Sequence, residues 1–290
     1  MRILAEQHPL AAAVYFLATA GVSMFCMDPV ILALSLAGAL LYFFLRNGLR
    51  GMRTHLYTLA LFLLMTLINP FVSHNGVTVL FVMNHNPVTL EALLYGAASA
   101  TMIVSVLYWF RSFSQIMTSD KLLYLFGVLS PKLALILSMA LRYVPLMGSQ
   151  TRKVRQAQKA LGLFKEDNLI DSFRGELRVF SVMVTWALEN GIVTADSMTG
   201  RGYGTGRRSR FSLFRFTLGD GLMLALSLTL LLLTLWGISN RSMAYYPAIR
   251  FSPLTIESII GYGCYALLTL LPTMLEGKEA LRWHCLRSNI

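Results

Sequence analysis

Charge is what this sequence lacks most. Only 13% of its 290 residues are Asp, Glu, Lys or Arg, against 56% hydrophobic, where ordinary globular chains carry about 25% charged residues. A single water-soluble core of this length cannot cover so much apolar surface, so the composition points to a chain that lives in a bilayer. Cysteine is nearly missing too. Cys26, Cys264 and Cys285 have neither paired nor metal-type spacing; this excludes a disulfide framework and reads as buried, inert thiols. Of five scattered histidines only His74 and His85 share a loop, with no carboxylate or cysteine to complete a metal site. There is no Gly-x-x-x-x-Gly-Lys-Ser/Thr run, no His-Glu-x-x-His and no Gly-x-Ser-x-Gly. The chain is therefore expected to hydrolyse no ATP, to carry no catalytic residues and to need no cofactor or metal. Nucleic-acid binding needs a soluble basic face with stacking aromatics, and the sequence offers none.

Long apolar runs are what it has. Six segments, near 10–26, 30–45, 56–72, 89–110, 217–237 and 256–273, are long enough to cross about 30 Å of hydrocarbon, which takes about 20 helical residues. The first is followed by no small-residue cleavage site, so it is read as a span rather than a removable signal. The apolar stretch 77–83, between Asn75-Gly76 and Asn84-His85-Asn86-Pro87, is too short to span and is expected to form a hairpin or re-entrant piece. Asp28, Glu91, Asp220 and Glu257 fall at span ends, leaving no ionisable residue near a midplane. Proton- and ion-coupled carriers place such groups inside the membrane, which counts against a chain that moves a charged solute alone. Basic residues are asymmetric. With the N-terminus inside, Arg241 and Arg250 alone of the 25 Lys/Arg lie outside, so both termini are expected in the cytoplasm.

The remaining residues divide the chain into N-terminal transmembrane helices (1–112), a cytoplasmic region (113–210) and C-terminal transmembrane helices (211–290). The 111–215 stretch alone holds 16 Lys/Arg against seven Asp/Glu. Two long helices are expected within it. One runs from about Pro131 to 163, with Pro145 as a kink, an apolar stripe at Val154, Ala157 and Leu161, and a basic one at Arg152, Arg155 and Lys159. The other runs from about 169 to 199, capped by Asp167 or Asn168, with Ile170, Phe173, Leu177, Phe180, Val184 and Ala187 as its packing stripe. Gly200 and Gly202 stop it. Gly200, Gly202, Gly204 and Gly206 read as a flexible helix exit, not a phosphate loop, since no strand precedes them. Glu166, Asp167 and Asp171 read as solvated capping residues between the helices. Arg207, Arg208, Arg210 and Arg215 read as anchors on the inner side of the fifth span. Two arrangements accommodate such helices: a basic hairpin lying on anionic lipid, or a platform for a cytoplasmic partner.

Both helices end in a similar small-residue motif. The first closes with Ala157-Gln158-Lys159-Ala160-Leu161-Gly162-Leu163, the second with Ala195-Asp196-Ser197-Met198-Thr199-Gly200-Arg201-Gly202-Tyr203-Gly204. Here the chain resembles the transmembrane T components (EcfT/CbiQ family) of energy-coupling factor transporters, which carry two Ala-Arg-Gly-type motifs closing long coupling helices. Asn69-Pro70-Phe71, Leu141-Arg142-Tyr143-Val144-Pro145 and the last apolar span fit as well. The resemblance implies an all-α, multi-pass membrane scaffold. It also implies three kinds of partner: two cytoplasmic ABC-type ATPases docked on the coupling helices, a membrane-embedded S component that binds a vitamin or metal ion, and the lipid bilayer. Gly200, Arg201 and Gly202 match the second motif. Ala160, Leu161 and Gly162 match the first in a degenerate form, with Leu161 where the family has arginine; either Arg155 or Lys159 supplies charge there or apolar packing fills that groove, and the two ATPase contacts are expected to be unequal. The rivals are a self-sufficient carrier or channel, and a membrane enzyme, for which no convergent catalytic set can be assembled.

Overall fold

The computed structural model describes residues 7–73, 76–83, 86–162, 169–206, 214–239, 241, 243–247, 249 and 253–287, with backbone alone at 49–50, 81, 83, 86–87 and 278–287. The chain forms two compact units, Met1–Leu122 with Phe214–Ile290, and Leu123–Leu213.

In the first unit the sequence starts and stops its helices with local chemistry. Helix α1 (Pro9–Phe25) has proline in its first turn, and His8 Nδ1 accepts from the Leu10 N–H. Helix α2 (Pro29–Asn47) repeats the device with Asp28, whose Oδ1 accepts from the Val30 N–H at 3.0 Å. A 3-10 turn, Gly48–Gly51, leads into α3 (Met52–Val72). Strands β1 (Val79–Met83) and β2 (Asn86–Thr89) pair antiparallel, so the short apolar stretch is a hairpin. Helix α4 (Leu90–Ile116) is capped by Thr89, and Glu91 in its first turn accepts the Thr78 N–H. Helix α8 (Leu218–Ile238) opens on a full capping box of Thr217 and Asp220; α9 (Ile256–Arg287) completes the unit.

These helices pack as α3 on α4, α9 on α8 and α2, and α2 on α4, with α1 against α4 and α8. The core is aromatic: Trp109, Tyr15, Tyr42 and Tyr265 are wholly enclosed. Each polar tip there finds a partner. The Trp109 Nε1–H donates to Ser35 Oγ at 3.0 Å, the Tyr15 hydroxyl to the Leu268 carbonyl at 3.0 Å, and Tyr265 to the Thr19 carbonyl at 3.2 Å. Where hydrocarbon surrounds a bundle, such internal bonds are the alternative to costly unsatisfied groups. Helices α8 and α9 touch through glycine, since a Cβ at Gly237 would sit 2.7 Å from Gly261 Cα.

Among the described residues six helices are long and apolar enough to cross a membrane: α2, α3, α4, α8, residues Ile256–Gly277 of α9, and Pro131–Ala160 in the second unit. Five coincide with expected spans. The expected first span is a 17-residue helix, about 25 Å long, enclosed within its unit. Conversely, Pro131–Ala160 meets the length and composition of a span although its charge suggested the cytoplasm, because its front half is largely apolar, with Lys132 and Arg142 its charged residues.

Helix α5 (Ser119–Leu129) leads into the second unit, which holds α6 (Pro131–Ala160), continuous through Pro145, and α7 (Leu169–Gly200). The expected caps Asp167 and Asn168 lie outside the described residues; Asp171 pairs at 3.9 Å with Arg174. One expectation is corrected. The packed face of α7 is Gly175, Val179 and Met183, whereas Ile170, Phe173, Leu177 and Phe180 are all exposed. The hydrogen bonds that join α6 to α7 are made at polar positions, Arg155 to Glu176 and Tyr143 to Asn190 and Thr194.

Candidate functional site

The two motifs share one capping frame. At the end of α7, Gly202 takes φ +78°, its N–H donates to the Thr199 carbonyl at 2.9 Å, and the Tyr203 N–H reaches back to Met198 at 3.0 Å. This is a Schellman ending with Gly200 as the last helical residue, Arg201 as C-cap and Gly202 as the left-handed residue beyond it. At the end of α6, Gly162 takes φ +68°, its N–H donates to the Lys159 carbonyl at 3.0 Å, and Leu161 is the C-cap. Ala160, Leu161 and Gly162 therefore stand in the same structural positions as Gly200, Arg201 and Gly202. Leu163, the next residue of the first motif, lies outside the described residues, as do Glu166, Asp167, Arg207, Arg208 and Arg210.

Arg201 is exposed beside the negative end of the α7 dipole, and its guanidinium makes no ion pair among the described residues. Leu161 is 73% exposed. A Cβ at Gly162 or Gly200 would meet nothing within 4 Å, so open space surrounds both glycines. Lys159 is exposed as well, and Tyr203 beside Gly202 is 44% exposed.

Arg155 stands differently. Its Nη2 donates to Glu176 Oε1 of α7 at 2.6 Å, so a residue taken as a supporting basic contact is already engaged across the helix pair. Farther along, the Tyr143 hydroxyl sits 2.8 Å from Thr194 Oγ1 and donates to the Asn190 carbonyl at 3.4 Å. Sequence reading placed Tyr143 in a family-like stretch without a role, and no signal tied it to residues some fifty positions away. These contacts, 155 with 176 and 143 with 190–194, make α6 and α7 antiparallel. Their two capped ends therefore point in opposite directions, on the order of 40 Å apart along the axes at 1.5 Å per residue.

Among the described residues no group of three or more His, Cys, Asp or Glu is placed to hold a metal. The described thiols, Cys26 and Cys264, are free and half-buried. His74 and His85 lie outside the described residues.

No family model matches the chain. It is similar to proteins named energy-coupling factor transporter transmembrane protein EcfT. It is 33% identical over 90 residues to EcfT 1 of Listeria monocytogenes, covering 30% of this chain and 34% of the relative. It is 31% identical over 103 residues to EcfT of Streptococcus equi, covering 35% of this chain and 38% of the relative. To EcfT of Lacticaseibacillus paracasei it is 33% identical over 108 residues, covering 35% and 41%. The matched stretches thus span 34% to 41% of the length of these curated relatives.

Proposed function

We propose that this chain is the transmembrane scaffold and coupling subunit, the T component, of an energy-coupling factor type importer. The observation that carries the reading is the shared capping frame at the two opposite ends of the α6–α7 pair, together with the similarity to EcfT proteins. In this reading residues 1–112 and 211–290 form the membrane part, residues 113–210 are cytoplasmic, and both termini face the cytoplasm of a cell-membrane protein. The positive-inside asymmetry supports that orientation. It also favours a cytoplasmic α6, whose apolar front half then covers other apolar surface rather than lipid.

Each capped end meets one of two ABC-type ATPases. At the α7 end Arg201 enters a groove of carboxylates or helix-end carbonyls, where its planar fork makes several charge-assisted hydrogen bonds at once. Gly200 and Gly202 add no side chain that would hold the surfaces apart. At the α6 end Leu161 presents an apolar side chain in the equivalent place, so that contact is apolar and the two contacts are unequal. ATP is hydrolysed by the ATPases and not by this chain. Their change of spacing moves the helix pair, and that movement reorients a membrane-embedded S component carrying a vitamin or metal ion. Substrate contacts belong to that other polypeptide.

The test is co-expression with candidate ATPases, solubilisation in mild detergent and co-purification. The parent is expected to retain the ATPases, and Arg201→Glu to lose most of one of them, because reversing the charge sets like against like. If no ATPase is retained under conditions where a known complex survives, the scaffold reading falls and transport by the chain alone becomes the reading to test.

A further inference from the structure

The first unit contains a group of buried ionisable residues that the docking motifs do not use. His8, Lys121 and Asp220 are each 5% exposed or less, and each sits at a structural boundary. His8 is the N-cap of α1, the most enclosed helix of the unit. Lys121 lies one residue before the chain leaves the unit at Leu122, and Asp220 lies just after it returns at Phe214. All three meet at the same two residues. The Lys121 Nζ donates to the Gln7 carbonyl at 3.3 Å, and the His8 N–H donates to Asp220 Oδ1 at 2.9 Å. The Phe216 ring meets the His8 ring edge-on at 5.1 Å. Asp220 Oδ2 accepts from the Thr217 N–H and hydroxyl, which holds the carboxylate in place.

Burying these groups is unfavourable in itself. Desolvation lowers both the Lys121 ammonium and the His8 imidazole from their ordinary values, and the Asp220 carboxylate opposes both shifts. A surface lysine and a simple Ser or Thr cap would begin these helices at less cost. What the buried arrangement adds is a connection. The outgoing chain and the returning chain are both fastened to the first residues of one helix, and that helix packs on α4 and α8.

We infer that the Gln7–His8, Lys121 and Asp220 knot is the mechanical junction through which movement of the coupling region reaches the transmembrane bundle, with α1 as the element moved. Lys121 and Asp220 are positioning residues in this role and bind no partner. The inference rests on the coupling reading above. It goes beyond it by naming where force enters the membrane part.

Hydrogen exchange on the complex of the full chain with its co-purified ATPases, with and without ATP, tests it. The parent is expected to show a severalfold nucleotide-dependent change in exchange across residues 12–16 of α1 and across residues 197–203 at the end of α7. Lys121→Met and Asp220→Asn are expected to keep the second change and lose the first. Thr217→Ala removes the hydroxyl that supports the α8 cap but keeps the Thr217 N–H bond to Asp220 Oδ2 at 2.9 Å, which still holds the carboxylate against His8. It is expected to lower thermal stability while preserving both changes, and Lys121→Arg is expected to restore the α1 response. Lys121→Met or Asp220→Asn responding at α1 like the parent overturns the inference, as does a parent whose α7 end responds while α1 does not. Loss of the α1 response in Thr217→Ala as well also overturns it, because the effect is then only helix stability. Failure of any ATPase to associate sinks the coupling reading itself and this inference with it, and it is recognised before any exchange is measured.

Discussion

At the scale of single residues, the decisive positions are those whose backbone geometry is special. Gly162 and Gly202 both have φ in the left-handed region, where a Cβ costs about 1–2 kcal/mol. They differ in surroundings: a Cβ at Gly162 meets nothing, and one at Gly202 meets Thr205 Oγ1 at 3.2 Å. Alanine at either position is expected to fray its helix end by about 1 kcal/mol, slightly more at 202, seen as faster amide exchange at the last helical turn. Asparagine at 162, which tolerates this region, is expected to recover part of the loss. Leu161→Arg places a guanidinium in the frame that Arg201 occupies. In the proposed function, where that contact is apolar, it is expected to weaken ATPase retention at the α6 end, read as loss of one ATPase on co-purification. The equivalence of Leu161 and Arg201 was legible in the sequence, because capping follows local order. The engagement of Arg155 was not, because Glu176 lies 21 residues away. That pair is more than 40% exposed on both sides, so it contributes at most about 1 kcal/mol; it serves alignment more than stability.

At the scale of elements, close packing sets the tolerances. A Cβ at Gly237 would lie 2.6 Å from the Glu257 carbonyl and 2.7 Å from Gly261 Cα, backbone atoms that yield only if α8 and α9 separate. Gly237→Val is therefore expected to cost about 1–3 kcal/mol through overpacking, measured as a lower melting temperature in detergent. Gly263→Ala, where a Cβ meets nothing within 4 Å, is expected to leave melting unchanged or raise it slightly. In the second unit, Tyr143→Phe removes the hydroxyl that bridges to Thr194 and Asn190 and is expected to weaken the α6–α7 pairing by about 1 kcal/mol. A broader distance distribution between spin labels on the two helices would register that loss. Periodicity identified both long helices within a few residues and misjudged which face of α7 packs. An apolar stripe announces a surface that avoids water, without saying what covers it. The aromatic core was not read from the sequence, and its bonds, such as Trp109 to Ser35, join residues 74 apart and have no sequence signal.

At the scale of the whole molecule, charge and apolarity pull α6 in opposite directions. Its length and composition suit a crossing, while the basic residues around it suit the cytoplasm. In the proposed topology a single cysteine replacing Ser149 or Ser197, on a background freed of the native thiols, is expected to react with a membrane-impermeant maleimide only from the cytoplasmic side. Reaction of the two sites from opposite faces would make α6 a span and revise the orientation of everything after it.

The sequence by itself determined the class of molecule, its helices, their caps and the two matching ends, because these depend on composition, periodicity and residues within four or five positions of one another. Tertiary structure alone decided which faces meet, that the capped ends lie at opposite ends of one antiparallel pair, and that His8, Lys121 and Asp220 converge on the start of α1. Those facts join positions as far apart as 8 and 220, and only the packing of helices brings such residues together.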